Sequence, residues 1–232
     1  MTRTVVVAGV GPGLGESIAR RFAGAGCRVA LFARSADYLD DLAADLDETP
    51  GAGLAVPTDL TDPDEIAAGF EAVRAAFGPV DVLVNHASAA PWKGLMEVDP
   101  DEFERALAVG PTAALHCSQE AIADMRAEED STVIFTGATT SVRGREGAIG
   151  FSAAKFACRG MAESMARELG PEGIHVAHVV LDGMINPPDG EVENPDDYLD
   201  PDAIADSYWH LVEQDESAWT LELDLRPYVE DF

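Results

Sequence analysis

At 232 residues and 47% hydrophobic content, the chain is long and apolar enough to bury one large core, which excludes a disordered segment. Its 43 acidic and 15 basic side chains give a formal charge of -28, which excludes nucleic acid as a partner because phosphate contacts need the opposite sign. The three cysteines, Cys27, Cys117 and Cys158, are odd in number and widely spaced, with no C-x-x-C pair; this excludes a disulfide scaffold and fits a reducing cytoplasm.

Met1-Thr-Arg-Thr runs straight into Val5-Val-Val with neither a long apolar segment nor a cleavage site, so no secretion and no membrane span are expected. Thr4–Ala8 reads as a first strand. The turn after it, Gly9-Val-Gly11-Pro-Gly13-Leu-Gly15, leads into a helix whose Leu14, Ile18 and Phe22 share one face. Glycines here let the backbone turn and approach a pyrophosphate, whose charge is favoured at a helix N-terminus. Arg28–Ala33 is the second strand, followed by Arg34-Ser35, and Leu54–Pro57 is the third. Thr61, Pro63 and the acidic pair Asp64-Glu65 mark a helix start, and Ile66, Phe70, Val73 and Phe77 give that helix its buried face. Val80–Asn85, Thr132–Thr136 and Ile174–Leu181 continue the strand series, with Leu169-Gly-Pro171 stopping the helix before the last. His175-Val-Ala-His178 lies on that strand with its imidazoles on opposite faces, so no metal site is expected. Gly183–Pro201, rich in proline and acids, is too polar for core and reads as a lid over a site or as a solvated connector. Asp202–Glu213 then reads as a helix and Trp219–Leu225 as a closing strand. This alternation predicts a single α/β domain over residues 1–232. Its architecture is a Rossmann-type, doubly wound parallel sheet of about seven strands with helices on both faces.

The spacing Gly9-x-x-x-Gly13-x-Gly15 resembles that of the short-chain dehydrogenase/reductase family. Asp59-Leu60, Asn85-His-Ala-Ser88, Lys155 in Phe151-x-x-x-Lys155 and Asp182-Gly183 are similar to further motifs of that family, and the resemblance spans nearly the whole chain. It implies hydride transfer between a nicotinamide dinucleotide and a carbonyl or alcohol. It also implies cofactor contacts at Gly9, Gly11, Gly13, Leu14, Gly15, Arg34, Ser35, Asp59, Leu60, Asn85, Ala87, Lys155, Gly183 and Ile185. Arg34 favours NADP(H), because a guanidinium forks onto a 2′-phosphate where an acid would bind the ribose hydroxyl. Pro12 stands where the family has a second basic contact, which leaves NAD(H) possible.

In the family a tyrosine protonates the alkoxide and a lysine lowers that tyrosine's pKa while binding the nicotinamide ribose. A serine orients the carbonyl, and an asparagine supports the lysine through water. The resemblance places Phe151, Lys155, Ala138 and Gly110 at these positions, so Lys155 alone keeps its catalytic group. His86, Thr139, Thr140, Ser141 and Tyr198 are candidates for a relocated acid or carbonyl-orienting group. The resulting expectation is an NADP(H)-binding oxidoreductase with an atypical active site and an unknown small-molecule substrate. The alternatives are a non-catalytic nucleotide-binding sensor or an accessory subunit. By resemblance, the helices around residues 100–127 and 151–169 would pair copies into a homodimer or homotetramer.

The acids are spread over every surface segment, and only Lys93 and Lys155 among the bases are lysines. A surface of this kind suits concentrated salt, where counterions screen the self-repulsion that opposes compaction. The Tm is therefore expected to rise as KCl approaches molar concentrations; a Tm that falls with added KCl would refute this adaptation.

Overall fold

A computed structural model describes residues 2–127, 130–188, 190, 192 and 194–230. Strand β1 (Thr4–Ala8), helix α1 (Leu14–Gly24), β2 (Arg28–Ala33), α2 (Ala36–Asp47), β3 (Ala52–Pro57), α3 (Pro63–Phe77) and β4 (Val82–Asn85) form the first half. The second half holds α4 (Pro100–Leu107), α5 (Ala113–Met125), β5 (Ser131–Thr136), α6 (Ile149–Leu169), β6 (Ile174–Leu181), the short β7 (Met184–Ile185) and β8 (Tyr198–Leu199), α7 (Pro201–Val212) and β9 (Glu222–Leu225). Seven strands pair in parallel in the order β3-β2-β1-β4-β5-β6-β9.

Both faces of the sheet are covered, which is why its strands are apolar throughout rather than alternating. Val5 and Val7 face α1, α2 and α7, where Phe22, Leu39 and Tyr208 are buried. Val6 and Ala8 face the opposite layer with Phe32, Phe70, Cys117 and Cys158. Among the described residues all three cysteines are free and buried, no helix is long and apolar enough to cross a membrane, and no group of three His, Cys, Asp or Glu side chains could hold a metal ion.

Local chemistry sets the element ends. The Asp62 carboxylate accepts the backbone N–H groups of Asp64 and Glu65, so Asp62, rather than Thr61, caps α3 ahead of Pro63. Strand β4 begins at Val82 and not at Val80, because Asp81 is anchored sideways: its carboxylate accepts the Thr4 N–H at 2.6 Å. Strand β9 begins at Glu222 and not at Trp219, whose ring stacks on His175 with centroids 5.0 Å apart. Helices α4 and α5 are joined by a π-helical turn, Ala108–Thr112, in which the Ala113 N–H donates to Ala108 O, five residues back. Pro111 has no N–H to offer, and the wider turn accommodates it without ending the helix. The segment after β6 is partly folded: Met184 pairs with Tyr198 and Ile185 with Leu199 in a two-stranded ribbon. Asp189, Glu191 and Glu193 of the expected lid lie outside the described residues.

Candidate active site

The turn after β1 is fixed by close packing. Gly9 has φ +107, and a Cβ there would lie 2.5 Å from the Ala87 Cα and backbone N, so the turns after β1 and β4 touch backbone to backbone. Gly9 N and Val10 N both donate to Phe32 O, at 2.9 and 3.0 Å, which ties the turn to β2. Gly15 lies against Gly9, with only 3.1 Å between its missing Cβ and Gly9 O. Gly11 is different. A Cβ there would meet no protein atom within 4 Å, so its backbone is open to a ligand.

Outside the carboxyl ends of β1–β4 this packing leaves a cleft of about 420 Å³. Its walls carry Gly9, Gly11, Gly15, Arg34, Asp59, Leu60 and Ala87 of the predicted cofactor contacts, together with Pro12. Gly13, Leu14, Ser35, Asn85, Lys155, Gly183 and Ile185 do not line it. Gly13, at φ +96, begins α1 and faces the Pro188 ring, 3.7 Å from its missing Cβ, so the segment after β6 closes over the glycine turn. Leu14 is buried core, and Ser35 is exposed ahead of α2. Asn85 is buried, its Nδ2 donating to Ser118 Oγ at 3.2 Å while its Oδ1 has no partner among the described residues. Gly183 packs against Pro227 and Ile185 sits in β7.

Three further cleft residues, Thr58, Arg105 and Val109, left no signal in the sequence. Arg105 on the short α4 looks there like any arginine on a solvated helix face. Among the described residues neither Arg34 nor Arg105 has a carboxylate at ion-pair distance, whereas most arginines of this acidic chain do. Hydrogen bonds from the Thr61 backbone and hydroxyl hold the Asp59 carboxyl below its usual range, with Arg34 and Arg105 adding to the effect.

At the catalytic positions, Lys155 is 5% exposed and its Nζ donates to Thr136 O at 2.7 Å. Burial lowers its pKa. The ammonium also lies 5.6 Å from the centroid of Phe151, whose ring meets Trp92 at 5.3 Å. Gly110 sits inside the π-helical turn, where a Cβ would reach the Ala154 Cβ at 3.4 Å. The Ala138 N–H donates to Ser141 Oγ.

Two of the candidate replacements, His86 and Thr139, are committed to hydrogen bonds inside the structure, and Tyr198 sits in β8. The His86 Nδ1 shares a hydrogen bond with Thr136 Oγ1 at 3.1 Å, and that hydroxyl shares another with the buried Tyr208 at 2.8 Å. Burial, with the Lys155 charge added, pushes the imidazole down to about 4, so it is neutral at pH 7 and holds no imidazolium proton to give. This counts against His86 among the candidates for a relocated acid. The Thr139 hydroxyl is committed to Asp182, donating at 2.7 Å. Burial alone would raise the pKa of Asp182, but the Thr139 and Arg143 hydrogen bonds, with Arg226 nearby, hold it low.

A family model described as short chain dehydrogenase matches residues 3–195. The chain belongs to the short-chain dehydrogenase/reductase family. A 3alpha-hydroxysteroid dehydrogenase of Mediterraneibacter gnavus is 30% identical over 177 residues, covering 75% of this chain and 70% of that one. The crystal structure of a short-chain dehydrogenase from Rhodopseudomonas palustris superposes with TM-score 0.84 at 33% identity, covering 97% of this chain and 99% of that one. A metagenomic short-chain oxidoreductase crystallised in complex with NADP superposes with TM-score 0.86 at 27% identity, covering 98% of each chain. These short-chain dehydrogenase/reductase structures share the seven-stranded parallel sheet with helices on both faces.

The depressed His86 pKa has a measurable consequence. His86 gains its proton in the unfolded chain near 6.5 but in the folded chain only near 4, so stability is complete above about 6.5 and is lost as pH falls toward 4. Between pH 7 and pH 5 this one group is expected to remove about 2 kcal/mol. Burial depresses His175 and His178 in the same direction. Urea unfolding at fixed KCl should show the loss, and His86→Asn should flatten it; an unchanged slope in the variant would contradict the assignment.

Proposed function

We propose that the chain is an NADP(H)-binding oxidoreductase acting on a carbonyl or alcohol, with an active site that lacks the family's proton donor. The observation that carries this reading is the cleft itself. In a chain of formal charge -28, two arginines without ion-pair partners among the described residues, Arg34 and Arg105, line the same crevice as the open backbone of Gly11. An anionic ligand at that place relieves both cations and lies at the positive end of α1. The structural neighbour crystallised with NADP supports the choice of ligand.

The residues present fit a dinucleotide. Gly9, Gly11 and Gly15 would carry the pyrophosphate, Asp59 and Leu60 the adenine, and Arg34 the 2′-phosphate. Bound there, the nicotinamide supplies or accepts a hydride. Lys155 keeps its ammonium in place through Thr136 O and the face of Phe151. The Phe151 ring donates no proton, so in the direction of reduction the new alkoxide needs its proton from another donor, either water or a relocated group such as Tyr198. Cytoplasmic location and assembly into a homodimer or homotetramer accompany this reading, on the grounds of composition and family resemblance.

Fluorescence titration tests the first half. NADPH should bind more tightly than NADH, and Arg34→Ala should weaken NADPH at least tenfold, about the worth of one charge-assisted contact, while leaving NADH nearly unchanged. Absence of binding by either nucleotide would sink the proposal.

The second half is tested by returning the lost groups together, as Gly110→Asn, Ala138→Ser and Phe151→Tyr. A Cβ at Gly110 meets Ala154 at 3.4 Å, so the first atom of the asparagine side chain is tolerated. NADPH-dependent reduction across a carbonyl panel should increase in this variant; a silent triple variant that still binds NADPH would show that the cleft no longer places a carbonyl for reaction.

A further inference from the structure

A second cleft, of about 450 Å³, opens outside the carboxyl ends of β5 and β6, lined by Thr139, Arg143, Arg145, Gly183 and Met184. Its two arginines are held in different ways. Arg143 is neutralised by the buried Asp182, with its Nη2 3.0 Å from the carboxylate. Arg145 has no carboxylate at ion-pair distance among the described residues, although Glu146 and Glu230 line the same cleft. Its guanidinium lies over the Trp92 ring, 5.5 Å from the centroid. Trp92 in turn packs on Phe151, and Phe151 carries Lys155 on its ring. Arg145, Trp92, Phe151 and Lys155 thus form a continuous column from the cleft wall to the buried ammonium.

This column fixes a guanidinium that would otherwise be mobile, because a cation is attracted to an aromatic face and the Trp92 ring is itself held by Phe151. The backbone is pinned as well: the Arg145 N–H donates to Ser152 Oγ in the first turn of α6. That end of α6 is electropositive, with no side-chain cap and no acidic residue in its first turn. A planar fork with two parallel N–H groups matches a carboxylate. Trp92, 57% exposed, and Met184, 62% exposed, add apolar surface beside it.

We propose that Arg145 is a specificity-determining residue that selects a substrate bearing a carboxylate next to an apolar body. The choice of a carbonyl compound as probe rests on the oxidoreductase reading above; the carboxylate preference does not. The experiment is calorimetric titration of the purified chain, at fixed KCl, with phenylpyruvate and with phenylacetone, the same skeleton without the acid. Phenylpyruvate should bind at least tenfold more tightly. Arg145→Gln should abolish that preference and leave phenylacetone binding unchanged, and Trp92→Leu should weaken it. Arg167→Gln, an exposed arginine near the far end of α6, should keep it and so controls for net charge. Equal affinity for the two probes, no binding of either, or a preference that survives Arg145→Gln would overturn the proposal. Loss of NADPH binding alongside an intact preference would remove the cofactor assignment and uphold this one.

Discussion

Backbone contact between Gly9 and Ala87 sets the geometry on which the rest of this molecule depends. Strand β1 pairs with β2 on one side and β4 on the other, so the chain reverses direction across the sheet at this point. Helices following β1 and β4 leave on opposite faces and open a crevice between their turns, the usual place for a ligand in a doubly wound sheet. A side chain on Gly9 would force the two turns apart and shift every residue that they carry. Thr136, at the end of β5, continues the same edge. Its carbonyl accepts from Lys155 and its hydroxyl reaches His86 and Tyr208, joining groups from three elements at one residue.

Charge is distributed with the same economy. Most arginines are committed to surface carboxylates, pairs whose individual contribution to stability is small. Arg74 binds Glu71, Glu120 and Asp124 together, and Arg159 bridges Glu163 and Glu222. Among the described residues, the guanidinium groups left without such partners include Arg34, Arg105 and Arg145, and each lines a cleft outside the carboxyl ends of the strands. In a strongly acidic chain the anions available to quench them are plentiful, so their isolation reflects placement rather than scarcity.

Much of this was legible in the sequence. Strands β1, β2 and β6 begin and end where their β-branched runs do, because the runs are bounded by glycine, arginine or acidic turns. The glycine turn, Arg34 and Asp59-Leu60 line one cleft, where the family resemblance would bring them together. Other features depend on distant partners and carry no local mark. The His86 imidazole is a neutral hydrogen-bonding group because burial and the Lys155 charge disfavour its protonated form, and its partner Thr136 comes from another strand of the sheet. Pro111 lies within the helical stretch expected around residues 100–127, and nothing local marks the π-helical turn by which the chain passes it. Nothing around Asp182 in the sequence shows that it gathers Thr139, Arg143 and Arg226 around one carboxylate.

Lysine is the rarer basic residue here, and its two copies differ sharply. Lys155 is sealed beneath Thr136 and Phe151, whereas Lys93, beside Trp92, is well exposed with its ammonium against Glu102. Reagents that seek side-chain amines therefore have one address on this molecule. Immobilised or tagged through that chemistry, each molecule would be gripped at the residue next to Trp92, the ring on which Arg145 lies; thiol coupling at an engineered cysteine on the opposite edge of the sheet would leave that column untouched.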